Sequence, residues 1–256
     1  MTRQPLVVDL NADLGEGFGV WKLGDDEAML AIVTSANVAC GFHAGDPLTM
    51  QLVCARAVAR GVRIGAQVSY RDLAGFGRRE MTVPPDELAA EIVYQIAALD
   101  GIARAEGGQV SYVKPHGALY NRAARDREQA AAIAAAVASY DPTLSLLTLP
   151  GSATEAAAAE VRVRAVTEAF ADRGYADDGS LVPRGQPGAL VTDPGSVAAR
   201  AVAMVTEGAV DTVQGHRVEV TPRSLCVHGD TPGAVRIATA VREGLERAGV
   251  TLAPFA

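Results

Sequence analysis

The chain has 256 residues, a formal net charge of −7 at pH 7, and 49% hydrophobic residues, few of them aromatic. This much apolar sequence can bury a full core, which excludes general disorder. The net negative charge and the lack of any basic run argue against a protein that binds nucleic acid or an anionic membrane, because such proteins carry a positively charged surface.

The cysteines and the N-terminal sequence indicate in which cellular compartment the protein is expected. The three cysteines, Cys40, Cys54 and Cys226, form no CxxC pair, which argues against a disulfide framework and against a structural zinc knuckle. The N-terminal sequence has no apolar segment of the kind found in signal peptides, and no apolar run is long enough to span a bilayer. We therefore expect a reduced, cytoplasmic protein with neither a nucleic-acid nor a membrane partner.

Short β-branched segments alternate with longer helical patterns along the whole chain. The strands predicted from these segments cover 6–10, 37–40, 62–66, 110–113, 144–149, 163–168 and 225–227. The predicted helices cover 24–34, 46–61, 84–106, an Ala-rich stretch ending near 139, segments starting at 152 and 193, and 231–248. A hairpin is predicted over 212–220, with its turn at Gln214-Gly215.

Seven β-α units follow one another without a break in composition, which predicts one domain over residues 1–256. Strands that alternate with helices form a parallel sheet, because the crossover helices must cover it. Such a sheet is either open or closed. Seven units in a chain of this length favour the closed form, a single-domain α/β protein built as a parallel β/α barrel.

Unusual polar residues collect where the predicted strands end. They are Asp9, Asn11, Asp13 and Glu16 at strand one, His43 after strand two, Lys114 and His116 at strand four, Glu168 and Asp172 at strand six, and His228 at strand seven. In parallel α/β folds this end of the sheet carries the active site. We therefore predict a site built from carboxylates, histidines and one lysine.

The alternation of Asp9, Asn11 and Asp13 puts all three side chains on the same side of an extended strand. Such residues are costly in an interior unless they bind a partner. We therefore favour a site over the alternative, a loop that caps the next helix. Asp46, by contrast, is explained as the N-cap of a helix that has Pro47 at its first position.

The histidines and the basic residues each have an alternative interpretation. Small residues follow His43 and His116 and leave room for a ligand, although a lone buried histidine is more often hydrogen-bonded in a core. Lys114 needs an anionic partner if it is buried, or else its stem packs while its ammonium reaches solvent. Arg78 and Arg79 either hold a carboxylate or phosphate or lie in a solvated loop.

The sequence lacks the motifs of two common chemistries. It has no G-x-S-x-G nucleophile elbow, and neither lysine follows a glycine as in a Walker motif. The remaining constellation suits general acid–base hydrolysis, with or without a divalent metal that activates water.

Long motifs carry a resemblance to a known family. They are Asp9-Leu-Asn-Ala-Asp-Leu-Gly-Glu16, Ser35-Ala-Asn-Val-Ala-Cys-Gly-Phe-His-Ala-Gly-Asp46, Val113-Lys-Pro-His-Gly-Ala-Leu-Tyr-Asn121 and Glu168-Ala-Phe-Ala-Asp-Arg-Gly-Tyr175. With Ser180–Arg184 and Cys226–Asp230, they resemble the LamB/YcsF family over essentially the whole chain. That family is similar in fold to the seven-stranded β/α barrels of carbohydrate deacetylases and certain glycosidases.

The resemblance implies an activity and partners. The family's reaction is the ATP-dependent opening of the 5-oxoproline lactam to L-glutamate, with release of ADP and phosphate. ATP is then a co-substrate, accompanied by Mg²⁺, and the work is shared with two partner subunits, B and C. Two alternatives stay open: a metal-dependent amidase or deacetylase that acts alone, and a non-catalytic subunit that binds substrate.

These expectations assign roles to the candidate residues. Asp13 or Glu16 acts as general base on water, and His43 and His116 orient the water or protonate the leaving nitrogen. Lys114 neutralises phosphate or the developing oxyanion. The residues expected to bind substrate are Asn11, Arg78, Arg79, Glu168, Asp172, Arg184 and His228.

A metal site of Asp13, His43 and His116 is a further hypothesis, made by analogy with metal-dependent deacetylases. Many members of the family carry His-Pro where this chain has Gln67-Val68, and an amide is a poorer ligand for transition metals than an imidazole. A site of three histidines is therefore not expected here.

Overall fold

The computed structural model describes residues 6–256. The N-terminal segment 1–5, and with it part of the expectation about a targeting sequence, lies outside the described residues. Ten strands follow in chain order in this described part: β1 (Val7–Leu14), β2 (Ser35–Ala39), β3 (Arg63–Val68), β4 (Val110–Pro115), β5 (Ser145–Thr148), β6 (Arg164–Phe170), β7 (Ala209–Asp211), β8 (Arg217–Glu219), β9 (Ser224–Val227) and β10 (Thr251–Leu252).

A closed barrel of seven parallel strands forms the centre of the molecule. Strands β1 to β6 pair in sequence order, β6 pairs with β9, and β9 pairs back with β1. The predicted seven-stranded β/α barrel is confirmed. Strand β10 adds to the start of β1 outside this ring, and β7 and β8 form the antiparallel hairpin that the sequence predicted.

Eight helices surround the barrel among the described residues. They are α1 (Asp26–Leu30), α2 (Pro47–Arg60), α3 (Pro85–Ala105), α4 (Gly117–Ala123), α5 (Arg127–Tyr140), α6 (Ala153–Glu160), α7 (Pro194–Thr206) and α8 (Ala234–Arg247). As predicted, the side chain of Asp46 caps α2 by accepting hydrogen bonds from two backbone N–H groups.

Two helices differ from the sequence prediction. The Ala-rich stretch after β4 is two helices, because Asp126 accepts hydrogen bonds from the N–H groups of Glu128 and Gln129 and so starts α5 afresh. The helix predicted over 24–34 is shorter at both ends, since Asp25 caps it and the chain must reach β2 at Ser35.

Strand β1 gives the barrel a polar interior, and its three alternating side chains do lie on the same side. Asp9 accepts hydrogen bonds from the hydroxyls of Ser35 and Ser224 near the amino-terminal end. Asn11 accepts from Asn37 at 2.7 Å in the middle of the barrel. These bonds satisfy buried polar groups that would otherwise be costly.

The C-terminal segment covers the amino-terminal end of the barrel. The ring of Phe255 packs edge-on against Tyr112, with 5.0 Å between the ring centroids. Its backbone carbonyl accepts a hydrogen bond from Arg164 at the start of β6. The C-terminal segment therefore closes the amino-terminal end of the barrel, and a ligand site is expected at the carboxyl end.

Asp100 on α3 is hydrogen-bonded to residues of β4 and α5, so its replacement tests how much these contacts stabilise the fold. Its carboxylate accepts hydrogen bonds from the Val110 backbone N–H at 2.9 Å, from Arg104 at 2.7 Å and from the Tyr140 hydroxyl at 2.8 Å. Burial raises the pKa of Asp100, but these bonds outweigh burial and hold the pKa below its usual value of 3.8.

We expect Asp100→Ala to lower the free energy of unfolding by about 2–3 kcal/mol at pH 7, because charged hydrogen bonds are lost and buried donors are left unpaired. The contribution of Asp100 is fully present above its unfolded pKa and is lost as the pH falls through the folded pKa. Urea denaturation at pH 7 and pH 3 measures both effects. The matched control is Asp86→Ala, an exposed position on the same helix; an equal loss in both variants would contradict the assignment.

Candidate active site

The candidate site lies at the carboxyl ends of the barrel strands, where the sequence placed it. Asn11, Lys114 and Glu168 lie within their strands and point into the barrel, whereas the other candidates lie near or just beyond the strand ends; the side chains converge because parallel strands end on one face. The buried candidates are Asn11, Asp13, Glu16, His43, Lys114, His116, Glu168, Asp172 and His228.

Glu16, His43 and His116 form one compact group, which we call the Glu16 cluster. The Oε1 atom of Glu16 lies 3.7 Å from Nε2 of each histidine. The two imidazole rings stack, with centroids 4.0 Å apart and planes inclined by 17°. The side chains come from three loops, after β1, after β2 and after β4, which the closed barrel brings together.

Burial sets the protonation of the Glu16 cluster. Burial, followed by the nearby charge of Asp13, raises the pKa of Glu16 well above its ordinary value. Burial lowers the pKa of His43 to about 4 and that of His116 well below its ordinary value. Both imidazoles are therefore neutral at neutral pH, so each offers a free nitrogen lone pair.

Lys114 lies inside the barrel among anionic and polar partners. Its Nζ atom is 2.8 Å from Glu168, 3.1 Å from Asn11 Oδ1, 3.1 Å from Cys226 Sγ and 3.6 Å from Asp13. Burial lowers the pKa of Lys114, but these neighbours outweigh burial and raise it well above its ordinary value. Of the two interpretations made from the sequence, the buried lysine with anionic partners is correct.

We expect Lys114→Met to destabilise the protein by about 3–5 kcal/mol, because the change leaves buried carboxylates without their cation. Thermal and urea unfolding at pH 7 measure this effect. Lys22→Met is the matched control, since Lys22 is the only other lysine of the chain and is exposed. It should change stability by no more than about 0.5 kcal/mol. Equal stability of the two variants would mean that the Lys114 ion pairs contribute nothing.

Asp13 is held so that one carboxylate oxygen stays free. Asn37 donates a hydrogen bond to its Oδ1 at 2.8 Å, on the side where Lys114 also lies. No described residue donates to Oδ2. Burial raises the pKa of Asp13, but the charges of Lys114 and His228 outweigh burial and hold the pKa below its ordinary value. Asp13 is therefore ionised at neutral pH.

Asp172 and His228 form a dyad on the other side of the barrel mouth. Both carboxylate oxygens lie 2.9 Å from Nδ1 of the imidazole, and Asp172 also accepts from the backbone N–H of His228. Burial raises the pKa of Asp172, but His228 outweighs burial and lowers it. This pairing fixes the ring and leaves Nε2 of His228 for other contacts.

The arginines occupy the rim. Arg78 forms an ion pair with Asp230 at 2.5 Å and lies over the ring of Phe76. Arg79 is bound to Asp72 in the same loop, and its side chain is largely exposed. Arg184 is half-buried and close enough to Asp172 to lower the pKa of that carboxyl.

A cleft of about 400 Å³ leads from the surface to the Glu16 cluster. Its inner end is formed by Glu16 and His43, and its other lining residues are apolar except for Lys22. The remaining lining residues are Phe18, Trp21, Lys22, Leu23, Ala44, Leu73 and Phe76. This volume is within the range of small-molecule sites.

Sequence reasoning missed several residues that contact the site. Asn37 binds both Asn11 and Asp13, and Tyr112 donates to Asn37 at 2.7 Å. The alternation of Ser35 and Asn37 along β2, which matches that of β1, is a signal that could have found Asn37. No sequence pattern could have predicted that Cys226 lies next to Lys114, because the two residues meet only when β9 closes the barrel between β6 and β1.

Within residues 6–256, two groups bring three potential metal ligands within 4.8 Å of one another. One is the Glu16 cluster, and the other is Asp13, Cys226 and His228. The hypothesis from the sequence joined Asp13 to His43 and His116, whereas the carboxylate grouped with these histidines is Glu16. In the second group, Lys114 already lies 3.1 Å from the thiol.

The fold and the site define a β/α-barrel protein with a carboxylate–histidine site at its carboxyl mouth. The model of the LamB/YcsF family matches residues 8–256, and the chain belongs to this family. The A subunit of 5-oxoprolinase from Streptomyces avermitilis is 61% identical over 250 residues, which cover 98% of this chain and 100% of that protein. The corresponding protein of Streptomyces coelicolor is 62% identical over the same length and coverage.

Solved structures agree with the fold. The lactam utilization protein from Thermus thermophilus superposes with a TM-score of 0.92 at 48% identity, covering 97% of this chain and 99% of that one. A family 4 carbohydrate esterase from Streptomyces lividans has a TM-score of 0.50 at 11% identity, covering 98% and 93%, which shows similarity of fold alone. Among residues 6–256, no helix combines the length and apolarity needed to cross a membrane.

Proposed function

We propose that this chain is the A subunit of an ATP-dependent 5-oxoprolinase and that its barrel adds water to the activated lactam. The net reaction converts 5-oxoproline, ATP and two waters to L-glutamate, ADP and phosphate. The names of curated relatives at about 60% identity over nearly the full length support this assignment. The lactam utilization protein with a nearly identical fold supports it as well.

ATP is needed because a lactam amide is unreactive toward water. In this proposal, partner subunits B and C transfer the terminal phosphoryl group of ATP, accompanied by Mg²⁺, to the amide oxygen of 5-oxoproline. One water then adds to the carbonyl carbon of the imidate-like species, and the ring nitrogen leaves with a proton. A second water releases the phosphoryl group as phosphate.

The observation that carries the proposal is Asp13 at the mouth of the barrel. It is ionised, it has one oxygen free of protein hydrogen bonds, and it lies close enough to the Glu16 cluster for its charge to raise the pKa of Glu16. These features suit a general base for the attacking water. Asp13 fits this role better than Glu16, because burial favours the protonated form of Glu16.

The neighbours of Asp13 suit the remaining tasks. The neutral imidazoles of His43 and His116 orient the water and supply hydrogen bonds to the leaving nitrogen. His228, fixed by Asp172, presents its free nitrogen to the lactam. Lys114 keeps Asp13 ionised from inside the barrel.

The substrate carboxylate binds at the rim in this proposal. Arg78, which lies over the ring of the cleft residue Phe76, and Arg184, beside Asp172, are the two candidates. In the free protein Arg78 is paired with Asp230 and Arg79 with Asp72, so the substrate carboxylate would compete with Asp230 for Arg78.

The test is glutamate release from 5-oxoproline by the purified chain, with ATP and the two partner subunits each omitted in turn. We expect glutamate only when all components are present. Glutamate formed by this chain alone without ATP would contradict the proposal and favour the amidase that acts alone.

A further inference from the structure

The Glu16 cluster contains polar atoms that the protein itself leaves unused. Glu16 Oε1, both ring nitrogens of His43, and His116 Nδ1 are buried without a hydrogen bond of normal geometry among the described residues, although the Gln67 amide lies close enough to His43 to influence its pKa. All three side chains are at most 6% exposed. Buried polar groups in native proteins almost always have a partner, and a concentration of exceptions indicates a missing ion or water.

The spacing within the cluster fits a shared cation better than hydrogen bonds. At 3.7 Å, the distances from Glu16 Oε1 to the two Nε2 atoms exceed the hydrogen-bond range. Two ligands that each lie about 2.0–2.1 Å from one zinc ion at the tetrahedral angle are about 3.4 Å apart. All three ligand atoms lie within 4.8 Å of one another.

The second group with potential metal ligands is Asp13, Cys226 and His228, and the ammonium of Lys114 already lies beside it. The ammonium of Lys114 is 3.1 Å from the thiol and 3.6 Å from the Asp13 carboxylate, so a dication there would be repelled at close range. Among the described residues no lysine or arginine forms an ion pair with Glu16, and Arg78, whose charge acts on all three side chains of the cluster, is itself paired with Asp230.

The surroundings of the Glu16 cluster support an ion with one open position. The cleft reaches Glu16 and His43 and supplies access for water. Gly77 fits closely against the rings: a Cβ atom at this position would lie 2.8 Å from His116 Nδ1 and 2.9 Å from the Cβ of His43. Phe76 contacts both imidazoles edge-on.

We propose that Glu16, His43 and His116 bind one divalent transition-metal cation, with zinc as the best fit to two imidazoles and one carboxylate. The rings are now nearly parallel, so binding tilts them until their Nε2 lone pairs converge. Binding itself does not depend on the proposed function. Its role does rest on that function, because the cation would supply Lewis-acid activation of the water that attacks the lactam.

The experiment uses the untagged full chain, freed of metal with EDTA and then of the chelator. Titration with Zn²⁺ by calorimetry should give one site per chain. Co²⁺ should bind the same site and give visible absorption without a sulfur-to-metal charge-transfer band. The isosteric variant Glu16→Gln, with His116→Ala as the second, should weaken binding by about a hundredfold or more, since even outer-sphere changes cost about 10–100-fold.

Two variants serve as controls for the location of the site. Cys226→Ser should bind metal as the wild type does, and so should His216→Ala, which removes an exposed histidine. Absence of binding to the wild type would overturn the proposal. Binding that survives Glu16→Gln but is lost in Cys226→Ser, or that shows the sulfur band, would also overturn it.

Failure of this inference is separable from failure of the proposed function. Glutamate formed by a metal-free chain with ATP and partners would contradict the role assigned to the cation and leave the proposed function unaffected. Stoichiometric metal binding without any glutamate from the complete mixture would contradict the function and leave the metal site standing.

Discussion

Asp13→Asn is expected to lower the rate of glutamate formation by about 10²–10⁴-fold, the usual contribution of a general base. Asparagine has the same shape as aspartate but cannot take a proton from water. Its amide oxygen can still accept the hydrogen bond from Asn37, and Lys114 keeps Glu168 as its counter-ion at 2.8 Å. The fold should therefore survive, which circular dichroism and thermal unfolding can verify.

The matched control is Asp9→Asn, on the same strand and the same side of it. Asp9 is buried at the opposite end of the barrel, where its oxygens accept hydrogen bonds from hydroxyl groups. These hydroxyls can rotate to suit an amide, so activity should stay near that of the wild type. Near-wild-type turnover by Asp13→Asn would rule out Asp13 as the base and direct attention to Glu16.

His116→Ala is expected to lower glutamate formation by a similar factor, about 10²–10⁴-fold. The change removes the imidazole that faces Glu16 and stacks on His43, so the water loses its orientation and the leaving nitrogen loses a hydrogen-bond partner. Steady-state kinetics should show the loss mainly in kcat, because the interaction matters most in the transition state.

His216→Ala provides the corresponding control. His216 lies beside the hairpin turn, is exposed, and interacts with Asp177, and neither residue belongs to the candidate set. It should leave turnover unchanged. A change confined to KM in His116→Ala would instead support the alternative in which this chain only binds substrate and presents it to its partners.

The barrel and the end of it that carries the site could be predicted because both depend on local patterns. Strand and helix periodicity gave seven units, and the alternation from Asp9 to Asp13 correctly placed three polar side chains on one side of β1. Capping chemistry at Asp46 was equally local and was confirmed. The break between α4 and α5 was also encoded locally, in Asp126, but the Ala-rich pattern on both sides concealed it.

The partners of the site residues could not be predicted, because they depend on how distant strands meet across the closed barrel. Lys114 on β4 reaches Glu168 on β6 and Cys226 on β9, which no spacing along the chain indicates. The same closure groups Glu16, and not Asp13, with the two histidines. The pairing of Asp172 with His228 has the same origin.

An amidase or deacetylase that acts alone on another amide is the main rival account. The Glu16 cluster is compatible with it, so loss of activity on chelation would not separate the two. The requirement for ATP separates them, because an enzyme acting alone on a reactive amide needs no phosphoryl donor.

The most direct test of the central claim compares three mixtures that contain ATP, 5-oxoproline and both partner subunits. One contains the wild-type chain, one contains Asp13→Asn, and one lacks this chain. Glutamate and ADP are measured together in each. The account predicts glutamate and ADP in equal amounts with the wild type, and almost no glutamate in the other two. Glutamate at the wild-type rate from the partner subunits alone would show that the lactam is opened elsewhere and would contradict the account.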